Sequence, residues 1–383
     1  MKKIFSIFVL VFSLIVISSP IKFAYADDFA IKAKSCILMD YHTGKVLYEN
    51  DCDAKYPVAS IVKLMTILLT LEHIDSGKIN VDDVVVASNN AASMGGSQVF
   101  IESGGNYKIG DLLKSVIISS ANDASVALAE TIAGSESNFV KLMNNRAKEL
   151  NLENTNYENS TGLPSVNQFS SARDCAILLK EVSKFKLYHK YSNIWIDKLS
   201  HPEGRESELV NTNKLIRYYK GCVGGKTGST SEAGYCLSAV AQRGDMKIIA
   251  VVLGTESSKE RFGQTTKLLD YGFSNFENEK VITKGEKISS SIKVKNGKEK
   301  TVDGVYIDDF YYMTNKTEKV DVLTKIILNK DIAAPIKKGD KLGKVYIIID
   351  GNIVGQIDIV SNDNVKERTI YDNIYKISEN YFI

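Results

Sequence analysis

Residues Pro57 to Thr66 read PVASIVKLMT, and the run continues as ILLTLEHI to Ile74. Apolar residues fall on every side of a helical wheel rather than along one stripe, so this run predicts a helix buried all round. One residue is out of character. A lysine, Lys63, buried in such a helix must find a partner or give up its charge. Ser60 lies three positions earlier and therefore on the same helical face. That spacing is either an accident or a nucleophile beside its base.

Working outward, Ser35 to Asn50 (SCILMDYHTGKVLYEN) holds two short strand-like runs around a His-Thr-Gly turn and predicts a hairpin. Downstream, Lys108 to Ala133 is helical in two pieces, IGDLLKSVIIS and DASVALAETIA, which meet at Ser119 to Asn122 (SSAN). Helices over 136–150 and 172–182 flank a loop-rich middle that contains TGLPSVNQFSS. The strand signal returns at Gly234, where GYCLSAVA and MKIIAVVLG are joined through Gln242-Arg243-Gly244-Asp245 as a second hairpin. A closing helix is expected over 260–276. Strands at both ends with helices between them predict an α+β class. One antiparallel sheet would carry the first hairpin beside the last, with helices covering its faces.

Near Asn278 the composition changes. SIKVKNGKEKTV and YIIIDGNIVGQIDIV carry Asn-Gly and Asp-Gly turns, the strongest short hairpin signals. A smaller all-β domain is expected over 281–363, behind a first domain over 27–277. It has no cluster of polar residues suited to catalysis, and a positioning or binding role fits it better. The tail, 365–383, places Ile370, Ile374, Ile377 and Tyr381 at helical spacing, with Lys366, Arg368 and Lys376 opposed by Asp372 and Glu379. It reads either as an amphipathic helix in peripheral contact with a membrane or as a segment docked on the β domain.

The first residues speak of compartment. Lys2 and Lys3 precede an apolar block, Ile4 to Ile17, and Ala24-Tyr25-Ala26 supplies a small-x-small end. Residues 1–26 therefore read as a secretory signal peptide, since the apolar block is shorter than the roughly 20 residues of a spanning helix. Cleavage after Ala26 would leave a mature chain starting at Asp27, exported to the cell wall or the outer face of the cytoplasmic membrane. The alternative is an uncleaved anchor. The formal net charge of +2, with both signs interspersed, offers no footprint for nucleic acid. Cys36, Cys52, Cys175, Cys222 and Cys236 form no C-x-x-C pair, and their odd number leaves at least one thiol unpaired. His42, His73, His189 and His201 are scattered without an H-E-x-x-H, so neither a metal nor another cofactor is expected.

Three short motifs carry the chemistry. Ser60 sits at the expected N-terminus of the buried helix, where free N–H groups and the dipole favour developing negative charge. Lys63 can accept the serine proton if it is neutral, and burial and a neighbouring cation both push a lysine that way. Ser120 and Asn122 lie at the break between helices, free to face a cleft. The hydroxyl can relay a proton to a leaving amine, and the Asn122 amide can hold a substrate amide. Lys226-Thr227-Gly228 precedes the strand at Gly234. Glycine there lets a substrate backbone lie close to a sheet edge, and Lys226 and Thr227 offer a positive charge and a hydroxyl to a carboxylate.

In this order, Ser-x-x-Lys, Ser-x-Asn and Lys-Thr-Gly are the signature set of penicillin-binding proteins and class A β-lactamases. The chain resembles the D-alanyl-D-alanine carboxypeptidases, the low-molecular-mass penicillin-binding proteins, from about Ala33 to Phe276. ISSANDASVALAE, MNNRAKEL, NSTGLPSVNQFSSARD, GGKTGST and KLLDYGF carry the likeness, and the β domain and tail continue it more loosely. The resemblance implies a β-lactamase/transpeptidase-like fold and a serine peptidase. Such an enzyme acylates on the penultimate D-alanine of a peptidoglycan stem peptide, releases the last D-alanine and passes the acyl group to water. β-Lactam antibiotics would be covalent inhibitors. By position, Ser60 is the nucleophile and Lys63 its base, Ser120 and Asn122 form the second motif, and Lys226 and Thr227 recognise the carboxylate. The backbone N–H groups of Ser60 and Ser229 would form an oxyanion hole, and Arg261 matches an arginine kept near the carboxylate site. Ala121 stands where many relatives have glycine, Ser229 where some have histidine, and Gln168 where many have histidine. These departures bear on rate and substrate preference rather than reaction class.

Three other readings remain: a β-lactamase, an endopeptidase of similar fold that cuts cross-links, and a catalytically silent wall-binding protein. Against the first, no E-x-x-L-N-like segment stands between the second and third motifs, and such enzymes lack a C-terminal β domain.

Overall fold

The computed structural model describes residues 29–372 of the chain, apart from 290 and 319. The signal-peptide reading of 1–26 lies outside the described residues, as does most of the tail, 373–383. Among the described residues no helix is long and apolar enough to cross a membrane.

The two expected hairpins form and lie side by side. Strands β1 (Ser35–Asp40) and β2 (Val46–Asn50) make the first. A second group comprises β3 (Cys222–Thr230), β4 (Gly234–Arg243) and β5 (Met246–Thr255). The five are ordered β2-β1-β5-β4-β3, with every pairing antiparallel. β3 was not expected as a strand. Gly224, Gly225 and Gly228 erase the apolar alternation that marks one, and only pairing with β4 supplies it.

Both faces of the sheet are covered, which explains the unbroken apolar runs of β1 and β5. Ile37, Met39, Ile249 and Val251 join the main helical core. The alternate residues Leu38 and Ile248 meet α6 (Ser258–Asn275) so closely that a Cβ on its Gly272 would lie within 3 Å of both side chains. The helical layer contains α1 (Lys63–Asp75), α2 (Ile109–Ser119), α3 (Asn122–Ala133), α4 (Glu136–Glu149) and α5 (Ala172–Val182). Nine consecutive residues of α1, Lys63 to Leu71, are buried, as a helix without a polar stripe requires.

Strand β6 (Phe276–Ile282) follows α6 directly and pairs with β8 (Phe310–Asn315). Beyond it an all-β part forms a sheet ordered β7-β11-β10-β9, from β7 (Gly304–Tyr306), β9 (Val322–Leu328), β10 (Lys341–Ile349) and β11 (Asn352–Ser361). Asp350-Gly351 makes the expected tight turn of the β10–β11 hairpin. Val345, Ile347 and Ile359 centre a core of its own. The β1–β2 turn touches this part: Asn278 Nδ2 donates to Asp40 Oδ1 (3.2 Å), and the His42 ring stacks on Tyr311 at 3.9 Å. All five cysteines are buried and free.

Candidate active site

Ser60 occupies a 3-10 turn, Ala59–Val62, and α1 begins only at Lys63, so the helix starts three residues later than expected. The difference brings the pair closer, because side chains three apart eclipse in a 3-10 turn. Lys63 Nζ lies 3.0 Å from Ser60 Oγ. Ala59, just before, has φ +48°, a left-handed conformation that costs a non-glycine residue about 1–3 kcal/mol. Two glycines press on this strained entry, one from a loop and one from β3. A Cβ on Gly162 would stand 2.1 Å from Ala59 O, and one on Gly228 would stand 2.5 Å from Val58 O and 3.1 Å from Ser60 N. No side chain fits at either position. The Ser60 N–H, at the start of a helical segment, has no acceptor a turn earlier.

Lys63 is fully buried and its Nζ also lies 2.5 Å from Thr161 O. That carbonyl is aimed by Asn159, whose Oδ1 accepts from the N–H groups of Thr161 (3.1 Å) and Gly162 (2.7 Å). Burial, reinforced by the charge of Lys226 and opposed by Asp123, holds the Lys63 amine well below the usual lysine range. An amine that is neutral has a lone pair, and with an N–H directed at Thr161 O that lone pair is available to the Ser60 hydroxyl.

The break between α2 and α3 is a single left-handed residue, Ser120 (φ 62°, ψ 31°). It turns the hydroxyl toward β3, where Lys226 Nζ donates to Ser120 Oγ at 2.6 Å. Asn122 is anchored twice to the 95–97 loop, N–H to Ser97 O and Nδ2 to Gly95 O, both 2.7 Å. Among the described residues its Oδ1 accepts no hydrogen bond, which leaves an acceptor for an incoming N–H.

Lys226, Thr227, Gly228 and Ser229 lie consecutively on β3, an edge strand whose only strand partner among the described residues is β4. Alternation along the strand sends Lys226 inward to Ser120, while Thr227 Oγ1 donates to Thr212 Oγ1 at 2.9 Å. The Ser229 side chain is exposed. Burial, then the nearby Arg261 guanidinium, lowers Lys226 to about 7. Arg261 itself is buried and donates to the carbonyls of Gly228 (3.2 Å) and Cys236 (3.4 Å). It therefore braces β3 and β4 through their backbone and reaches Lys226 through its field. Three basic groups thus share one dry region.

Several supporting residues had no signal in the sequence. Thr161 acts through a carbonyl, which every residue possesses, and Thr212 is an isolated hydroxyl 15 positions from Thr227. Asp123, fully buried, accepts from the N–H groups of Val99 (3.0 Å), Ile101 (3.1 Å) and Ala124 (2.8 Å). It pins down the loop that holds Asn122. Gln168 closes the opposite loop, accepting from the N–H groups of Glu158 and Asn159 and donating to Leu163 O.

Residues 22–257 match the family profile described as D-alanyl-D-alanine carboxypeptidase, and 276–367 match the C-terminal domain of penicillin-binding protein 5. The D-alanyl-D-alanine carboxypeptidase DacF of Bacillus subtilis is 42% identical over 355 residues, 91% of either chain. The crystal structure of penicillin-binding protein 5 from Haemophilus influenzae aligns with a TM-score of 0.71 at 32% identity. It covers 88% of this chain and 99% of that one. A D-alanyl-D-alanine endopeptidase of Pseudomonas aeruginosa is 33% identical over 238 residues, 61% of this chain and 75% of its own.

Proposed function

Because the chain belongs to the D-alanyl-D-alanine carboxypeptidase family, we propose that it removes the terminal D-alanine of peptidoglycan stem pentapeptides through an acyl-enzyme on Ser60. The observation that carries this reading is a buried Lys63 amine, held well below the usual lysine range, 3.0 Å from the Ser60 hydroxyl. Lys63 takes the hydroxyl proton as Oγ attacks the penultimate carbonyl. The charge developing on the carbonyl oxygen falls to the N–H groups of Ser60 and Ser229, a pairing supported by the close packing of Gly228, next to Ser229, on the Ser60 turn. As the C–N bond breaks, the leaving amine takes a proton through Ser120, itself bonded to Lys226. The substrate backbone lies along β3, its N–H on Asn122 Oδ1 and its terminal carboxylate on Lys226 and Thr227. Water then releases the shortened peptide.

Penicillins mimic that acyl donor and would remain on Ser60. The exported location, the signal peptide over 1–26, the catalytic domain over 27–277, the β domain over 281–363 and a tail in contact with the membrane belong to the same proposal. The basic start, the A-x-A site and the C-terminal domain match support it.

The test is labelling of the protein with a fluorescent penicillin beside assay of D-alanine release from a peptide ending in D-Ala-D-Ala. Stable label with D-alanine release is expected. Rapid loss of label without peptide cleavage would make it a β-lactamase, and release from cross-linked dimers alone an endopeptidase. Ser60→Ala should abolish label and release. Lys63→Arg should do the same, because arginine keeps its proton.

A further inference from the structure

A second cavity lies at the other end of the central sheet. Gly228 pairs with Cys236 on β4, and Gln242, six residues on, pairs with Lys247 beside the β1–β2 turn. At about 3.3 Å per residue the separation is about 20 Å. There a groove of about 1260 Å³ opens between the β1–β2 turn, α5 and β8. Lys45, Lys180, Lys184 and Lys284 line it, together with Tyr41, Phe310 and Tyr312.

The acidic groups nearby are already engaged. Asp308 pairs with Lys284, Asp309 with Lys280, and Glu181 with Lys184. Asp40 is buried and spends Oδ2 on the N–H and Oγ1 of Thr43, both 2.6 Å away, and Oδ1 on Asn278. Among the described residues two ammonium groups hydrogen-bond only to neutral acceptors, and the carboxylates of Asp40 and Glu181 reach Lys180 through their field alone. Lys45 Nζ donates to Met313 O (3.2 Å) and Lys180 Nζ to His42 O (3.3 Å). Behind them, buried Lys247 sits 3.7 Å above the Tyr41 ring, also without a carboxylate. Cations with no directly paired carboxylate, facing a concave space, raise the local concentration of anions. Aromatic walls with a few placed polar groups are the usual make-up of a small-molecule site.

From this we propose that the groove is a second binding site, for an oxyanion carried on a sugar or polyol. Lys45 and Lys180 hold the oxyanion, and the rings of Tyr41, Phe310 and Tyr312 take the carbon face. On a polymer that carries both such groups and peptide ends, the site would act with the Ser60 cleft and raise the effective concentration of the peptide. That consequence rests on the peptidase reading, whereas binding in the groove does not.

Titration of the full chain with N-acetylmuramic acid (a carboxylate on a sugar), glycerol 3-phosphate (a phosphate on a polyol) and neutral N-acetylglucosamine tests it. Binding of either anion is expected, weakened by added salt and at least about ten-fold by the double variant Lys45→Gln/Lys180→Gln. Whichever anion binds identifies the oxyanion. Penicillin labelling of the variant should equal that of the wild type, which shows folding and separates this site from Ser60. The proposal is overturned if neither anion binds, if the variant binds as tightly, or if the neutral sugar binds equally well.

Discussion

Gly228 is where substrate strand and nucleophile turn touch, and Gly228→Ala tests their contact most directly. The new Cβ would lie 2.5 Å from Val58 O and 3.1 Å from Ser60 N. An ordinary contact needs about 3.4 Å, so β3 and the Ser60 turn must separate by about 1 Å. Neither can flex cheaply: β3 is paired along its length with β4, and the turn is wedged by Gly162 from the other side. Overpacking of this kind costs about 1–3 kcal/mol of stability. The effect on reaction is larger, because the two N–H groups proposed for the oxyanion move apart. A misplacement of about 1 Å at a reacting centre costs about 100-fold, close to the loss of one oxyanion donor. Stopped-flow acylation by a fluorescent penicillin, with circular dichroism to verify folding, should show that loss. Ser229→Ala, which removes an exposed side chain and keeps its N–H, should stay within a few-fold of wild type. A folded Gly228→Ala protein that acylates at the wild-type rate would refute the reasoning.

Further outcomes are expected at Lys226 and Asp123. The positive charge of Lys226 helps depress Lys63, so Lys226→Met raises the Lys63 pKa and moves the acid limb of penicillin acylation to higher pH. In the wild type, Lys226 loses its proton as pH rises through about 7, so kcat/KM for carboxylate-ended peptides falls above that pH, and this limb should vanish in Lys226→Met. Asp123→Asn places an NH2 among three N–H donors, which should cost about 2–4 kcal/mol in chemical denaturation. It should also slow acylation through the loosened Asn122 loop, while Asp174→Asn, in the first turn of α5, where the carboxylate accepts from Asn154 N–H and Thr155 Oγ1, should affect stability alone.

The chain's local patterns already announce much of this protein. Both hairpins of the central sheet, the all-round burial of α1, the break at Ser120 and the Asp-Gly turn of β10–β11 each follow from residues within a few positions of one another, where periodicity and turn chemistry operate. The Ser60–Lys63 spacing belongs to the same class, since three residues along a helical turn bring two side chains together whatever surrounds them. Folding alone decided the rest. Ser120 and Lys226 are 106 residues apart and meet at 2.6 Å, and β3 becomes a strand only through its partner. Arg261 proved to brace the strand from behind. Most telling are the two lysines, which carry identical side chains and the same ordinary pKa. Which one stays nearer to neutral depends on desolvation and on the distances to Lys226, Asp123 and Arg261, quantities that exist only once remote segments pack against each other.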